Sequence, residues 1–176
     1  NDMDDLSRLT IATCGVVWGD VKPGNFVSFK LPGSRFIYKA IDFDSARRDA
    51  GVGASLRGPT NVSTNFANND SAMFTPGYVS PERAEAIKNK RDLVADSRQD
   101  VFVIGLIIYQ LFAKRPYFLP EIIEGNQYLD VLIAASFVAD LSAISGTSHI
   151  QKRAKKFLRE MLQLLQRDPS RRKSFL

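Results

Sequence analysis

Three residues with the makings of a reactive site lie within six positions: Asp20, Lys22 and Asn25, in the run Asp20-Val21-Lys22-Pro23-Gly24-Asn25. A second acidic triplet, Asp42-Phe43-Asp44, follows. Together they offer a base, a cation and two hard-oxygen ligands, a set able to hold Mg²⁺ and a phosphate beside a hydroxyl nucleophile. Between the clusters stand Phe26-Val27-Ser28-Phe29 and Phe36-Ile37-Tyr38, split by the turn sequence Leu31-Pro32-Gly33-Ser34. Two β-forming runs around such a turn predict a hairpin. A hairpin would bring both polar clusters to one end of a two-stranded ribbon.

The elements around this ribbon read mainly as helices. Residues 3 to 13 carry a broken helical period (Met3, Leu6, Leu9, Ile11), stopped at Gly15, and Val16-Val17-Trp18 reads as a short apolar strand. From Ala46 to Phe74 polar residues dominate and no period survives, which predicts one long loop. Ser80 and Pro81 suit the N-cap and first position of a short helix to about Asn89. The strongest helix spans about 96–113. Its apolar residues run almost all round, so a central buried helix is expected. Lys114-Arg115-Pro116 ends it, and two more helices are expected near 127–144 and 151–166. In the last, Ala154, Phe157, Leu158, Met161, Leu162 and Leu165 form one stripe opposite a basic face. Ser170 is read as the cap of a terminal helix, and His149 as an exposed loop residue.

Length and composition bound the function classes. The chain's 176 residues are enough for one domain with a core, and 44% hydrophobic with 24% charged residues is ordinary for a globular protein. The longest apolar run, Val101 to Ile108, is too short to span a bilayer. The acidic start, Asn1 to Asp5, does not read as a signal peptide. The single cysteine, Cys14, excludes an internal disulfide and reads as a small buried residue. An intracellular, cytoplasmic location is therefore expected, and the sequons at Asn61 and Asn69 are read as chance. Nine Lys and Arg between Lys152 and Lys173 face only Glu160 and Asp168. No aromatic pattern accompanies them, so a solvated helix face is expected there and not a nucleic-acid site.

Six segments, in order, resemble landmarks of the protein kinase superfamily, specifically its large C-terminal lobe. Trp18-Gly19-Asp20-Val21-Lys22-Pro23-Gly24-Asn25 resembles the catalytic loop His-Arg-Asp-Leu-Lys-Pro-Glu-Asn. Asp42-Phe43-Asp44 resembles the metal-binding Asp-Phe-Gly, and Thr75 to Glu82 the substrate-docking loop ending in Ala-Pro-Glu. Asp100 to Gly105 resembles the start of the kinase central helix, Lys114 to Phe118 the turn after it, and Asp168 to Arg172 the Asp-Pro-x-x-Arg segment.

This resemblance implies an α+β, mainly α fold: one kinase large lobe over 1–176, helical with a small hairpin and without the N-terminal lobe. Its parts would be a catalytic loop at 18–25, a metal triplet at 42–44, an activation segment at 42–82 with an insertion near 48–70, and basic terminal helices at 151–176. It implies a serine/threonine protein kinase using ATP and Mg²⁺, as part of a longer chain. Asp20 would accept the substrate hydroxyl's proton, Lys22 would neutralise the moving phosphoryl group, and Thr75 would shape the substrate site. Asn25 and Asp42 would hold Mg²⁺. Glu82 would pair with Arg172, and Asp100 would anchor the catalytic loop's backbone. The partners implied are a protein substrate and a small lobe, or another body covering the apolar seam, for a chain inactive on its own.

The sequence departs from the family at two flanking positions. Gly19 stands where an arginine would read a phosphate on the activation loop, so control by loop phosphorylation is not expected. Trp18 can still fill the preceding apolar slot. Asp44 replaces a glycine, which should restrict the backbone there. These departures motivate a rival reading, a pseudokinase scaffold that binds protein partners without chemistry. A small-molecule kinase of the same fold is a third, disfavoured by the docking loop.

Overall fold

The computed structural model describes residues 16–33, 35–49, 75–91, 93–118, 122–123, 128–134 and 149–172. The expected helix over 3–13, Cys14, the insertion near 48–70 beyond Asp49 and the whole region 135–148 lie outside them.

The hairpin forms with the predicted strands, slightly lengthened: β2 at Phe26–Lys30 and β3 at Phe36–Ala40. They pair antiparallel, Phe26 opposite Ala40 and Lys30 opposite Phe36. Gly33, at φ 82°, supplies the left-handed turn residue. Ile41 N–H donates to the Asn25 carbonyl at 2.9 Å, so pairing continues to the end that carries both polar clusters.

The preceding strand, β1 (Val16–Val17), does not join this ribbon. It pairs with β4 (Arg47–Arg48), Val17 opposite Arg47. The expectation of a structureless loop from Ala46 is corrected here. Two arginines carry no β signal of their own, and the pairing comes from the partner strand. Just beyond β4, buried Asp49 accepts from the Ser97 N–H at 3.0 Å, satisfying one unpaired donor of the first turn of the central helix.

The helices in chain order are α1 (Pro81–Lys88), α2 (Ser97–Ala113), α3 (Tyr128–Ala134) and α4 (His149–Met161). Ser80 sits at the α1 N-cap as expected, but its hydroxyl makes no capping bond. At α2 the Asp96 side chain does cap, accepting from the Arg98 N–H at 2.8 Å. The helix ends at Lys114 in a left-handed turn, φ 52°. Three late features are corrected. His149 opens α4 and does not sit in a loop. The expected single helix over 151–166 tightens after Met161 into a 3-10 turn, Leu162–Leu165. Asp168, not Ser170, is the final cap, accepting from the Ser170 N–H at 2.9 Å before the short turn Pro169–Arg171.

The main core gathers Phe102 and Leu106 of α2, Val79 and Ala84 around α1, Phe118, Tyr128 and Leu132 around α3, and Leu165. Gly105 lets the 3-10 turn approach α2 closely. A Cβ there would lie 2.9 Å from Leu165 Cδ2 and 3.1 Å from Leu164 Cβ. The expectation of a wholly buried α2 holds for Val101, Phe102, Val103 and Leu106 but not at its end, where Leu111 is 70% exposed. On α4, Lys152, Arg153, Lys156 and Arg159 are exposed. Among the described residues no helix is long and apolar enough to cross a membrane.

Candidate active site

Asp20 lies at the junction between β1 and the hairpin, and three side chains converge on it. Lys22 Nζ donates to its Oδ2 at 2.6 Å, and Thr75 Oγ1 donates to its Oδ1 at 3.0 Å. Asn25 Nδ2 donates to the Asp20 carbonyl at 2.9 Å and reaches Oδ2 at 3.3 Å. A longer contact, 3.4 Å, joins Lys22 Nζ to Thr75 Oγ1. Thr75 is 55 residues from Asp20 in sequence, so the fold alone assembles this cluster. A local 3-10 turn, Pro23–Asn25, brings Asn25 back under Asp20, closed by Asn25 N–H donating to the Lys22 carbonyl at 3.0 Å. Proline fits that turn because its fixed φ suits the first helical position.

The backbone carrying Asp20 is anchored from α2. Asp100 is 3% exposed and accepts from Trp18 N–H at 2.6 Å and Gly19 N–H at 3.0 Å. Burial pushes its carboxyl up to about 6, against the lowering pull of these N–H groups and of the Arg83 charge. The sign of the consequence follows by linkage. The folded state holds this proton more tightly than the unfolded chain, so Asp100's contribution to stability falls as pH rises from about 4 to about 6 and is flat above. We expect the melting temperature of wild type minus that of Asp100→Asn to drop across this window and then level off. A difference flat from pH 4 to 7 would show that Asp100 titrates normally.

Asp42 stands across the hairpin's mouth, with an exposed side chain and a left-handed backbone, φ 62°. Trp18 holds it there. The indole is 1% exposed, its Nε1 donates to the Asp42 carbonyl at 2.6 Å, and its ring stacks on Phe43 at 5.0 Å. Sequence reasoning gave Trp18 only an apolar slot. The signal for more was its N–H, since a buried indole needs an acceptor. Asp44 lies in an ordinary turn in which Ala46 N–H donates to the Phe43 carbonyl at 2.9 Å, and the left-handed residue of the triplet is Asp42.

The donor set fits a magnesium ion arriving with nucleotide phosphates. Asn25 turns its amide N–H groups to Asp20, leaving its oxygen on the other side, and Asp42 adds a carboxylate at the same end of the ribbon. Such an ion needs only one or two protein oxygens. Among the described residues no group of three or more His, Cys, Asp or Glu is placed to hold a metal.

Glu82 and Arg172 also meet. Arg172 donates through Nη1 and Nη2 to the two Glu82 oxygens, both at 2.7 Å. Arg83, the residue after Glu82, was not singled out from the sequence. It is buried, and its Nη1 donates to the Gly19 carbonyl. Its only sequence signal was an arginine with no acid three or four positions away on either side.

A family model for the protein kinase domain matches residues 10–176. The chain belongs to the protein kinase family. It is 30% identical over 139 residues to a probable serine/threonine-protein kinase PknB of Corynebacterium glutamicum, covering 76% of this chain and 18% of that protein. It is 29% identical over 107 residues to serine/threonine-protein kinase PknB of Mycolicibacterium smegmatis, covering 61% and 14%. The serine/threonine-protein kinase ksg1 of Schizosaccharomyces pombe is 29% identical over 116 residues, covering 65% and 17%. The matched part of the chain thus spans less than a fifth of each of these kinases.

Proposed function

We propose that this chain carries the large-lobe half of a serine/threonine protein kinase active site, working within a longer polypeptide. The observation that carries the reading is the Asp20 carboxylate, held at once by Lys22 at 2.6 Å and Thr75 at 3.0 Å with Asn25 beneath it. The pattern Asp-x-Lys-x-x-Asn and the names of the relatives support a serine or threonine acceptor. Asp20 orients the acceptor hydroxyl and receives its proton as the new oxygen–phosphorus bond forms and the bond to the bridging oxygen of ADP breaks. Lys22 neutralises charge on the transferred group. Asn25 and Asp42 would hold Mg²⁺, which supplies charge neutralisation at the ATP phosphates when bound. The hairpin's Val27, Phe29, Phe36, Ile37, Tyr38 and Ile41 are between 37% and 68% exposed. A two-stranded ribbon is marginal alone and an apolar patch of this kind is ordinarily covered, which supports a small lobe or another body seated on it.

Binding of Mg·ATP to the full-length polypeptide tests the nucleotide half of this reading. At 100 times the dissociation constant, bound ligand should add about 2.7 kcal/mol to stability, and Asp42→Asn should lose most of that gain. Asparagine tolerates the left-handed backbone at position 42, so the variant should melt like wild type without ligand. No stabilisation of the wild type would sink the kinase reading in favour of a partner-binding scaffold.

A further inference from the structure

The loop that presents Asp20 is gripped by a second helix as well as by α2. The Gly19 N–H is held by Asp100 at 3.0 Å, and the Gly19 carbonyl is held by Arg83 of α1. Arg83 is 6% exposed. Its charge acts on Asp100, so cation and anion clamp the two sides of one residue.

That residue needs clamping. Gly19 has φ 80°, and glycine restricts its backbone least of all residues. The Gly19 carbonyl and the Asp20 N–H belong to one rigid peptide plane. A bond to that carbonyl therefore sets the rotation of the plane from which the Asp20 side chain springs. If the plane turned, the Asp20 carboxylate would leave Thr75 and Lys22.

We propose that Arg83 is a positioning residue for phosphotransfer, fixing the peptide before Asp20 so that the carboxylate faces the acceptor hydroxyl. The inference rests on the functional reading above. It also gives the segment 75–83 two holds on one residue: Thr75 on the Asp20 carboxylate and Arg83 on its preceding peptide. Seating of a substrate against this segment is thereby coupled to the orientation of the base.

The test uses the full-length polypeptide with Arg83→Met and Arg83→Lys, assayed with Mg·ATP and casein as acceptor. Arg83→Met should lower kcat about 10²-fold, the scale set by a misplacement of about 1 Å, while KM for ATP stays near wild type. Arg83→Lys keeps a charge and a donor and should recover much of that loss. Hydrogen–deuterium exchange supplies a readout independent of activity. Amides over Trp18 to Lys22 should exchange about tenfold faster in Arg83→Met, the increase expected from about 1.4 kcal/mol of lost protection, with α1 protected as in wild type. Wild-type kcat in Arg83→Met would overturn the proposal. So would exchange rising equally through α1, or a lysine variant no better than methionine, since either marks a scaffold role alone. If the wild type transfers no phosphate, the functional reading fails, and the exchange data still decide whether Arg83 holds the loop.

Discussion

Asp20→Asn is expected to lower phosphotransfer about 10²–10⁴-fold, the range a positioned general base supplies, while leaving the fold and Mg·ATP binding intact. The variant is nearly isosteric. An asparagine oxygen can still accept from Thr75 Oγ1, now at 3.0 Å from the carboxylate. What it cannot do is take the acceptor hydroxyl's proton or balance the Lys22 charge 2.6 Å away. Asp20 and Lys22 are both partly exposed, at 17% and 28%, so losing this ion pair should cost no more than about 1 kcal/mol. Activity and stability should therefore separate. Steady-state assay beside thermal melting reads both, and an Asp20→Asn variant as active as wild type would remove the proposed base.

A second large effect is expected on stability at Arg172. Its side chain is fully buried, and all five guanidinium N–H groups have acceptors. Nε donates to the Gln166 carbonyl at 2.7 Å. Nη1 donates to Glu82 and to the Arg98 carbonyl, both at 2.7 Å, and Nη2 to Glu82 at 2.7 Å and the Arg167 carbonyl at 3.1 Å. The guanidinium also lies over the Phe102 ring, 4.9 Å from its centre. One residue thus ties the chain's last described turns to α1, to the start of α2 and to the core. Glu82→Gln leaves that cation buried without its partner and should cost about 3–5 kcal/mol. For a chain of this size that is a fall of about 10 °C in melting temperature. Arg172→Lys should fare little better, because an ammonium has three donors and no fork to match a carboxylate. The double variant Glu82→Leu with Arg172→Leu should recover part of the loss, since no charge is then stranded. A Glu82→Gln variant within about 1 kcal/mol of wild type in urea unfolding would show the pair to be dispensable.

The residues that meet at the candidate site were legible in residue types and order. Asp20, Lys22 and Asn25 are close in sequence, and a hairpin predicted from β-formers around Pro32-Gly33 was enough to bring Asp42 to the same end. The central helix was equally plain, because its buried face is written in consecutive apolar residues, although Asp96, read as its first residue, is its cap. What stayed hidden were features whose partner is distant and whose own signal is weak. β4 is two arginines that become a strand only by pairing with Val16–Val17. His149 could not be placed in α4 because helical ends carry little signal of their own. The left-handed backbone at Asp42 was not legible either, and the donor that holds its carbonyl, the Trp18 indole, lies 24 residues away. Arg83 reads as one more surface arginine until the fold lays α1 against Gly19.

By itself, then, the sequence determined the candidate reactive groups and the local elements that carry them, because hydrophobic period, turn residues and short-range spacing act along the chain. Tertiary structure alone decided how those groups are held. Thr75 on Asp20, Asp100 and Arg83 around Gly19, Trp18 on Asp42 and Arg172 on Glu82 are contacts between segments far apart in sequence. All but the part-buried Thr75 contact depend on a buried donor or charge finding its partner once water is excluded, a requirement that only the folded chain imposes.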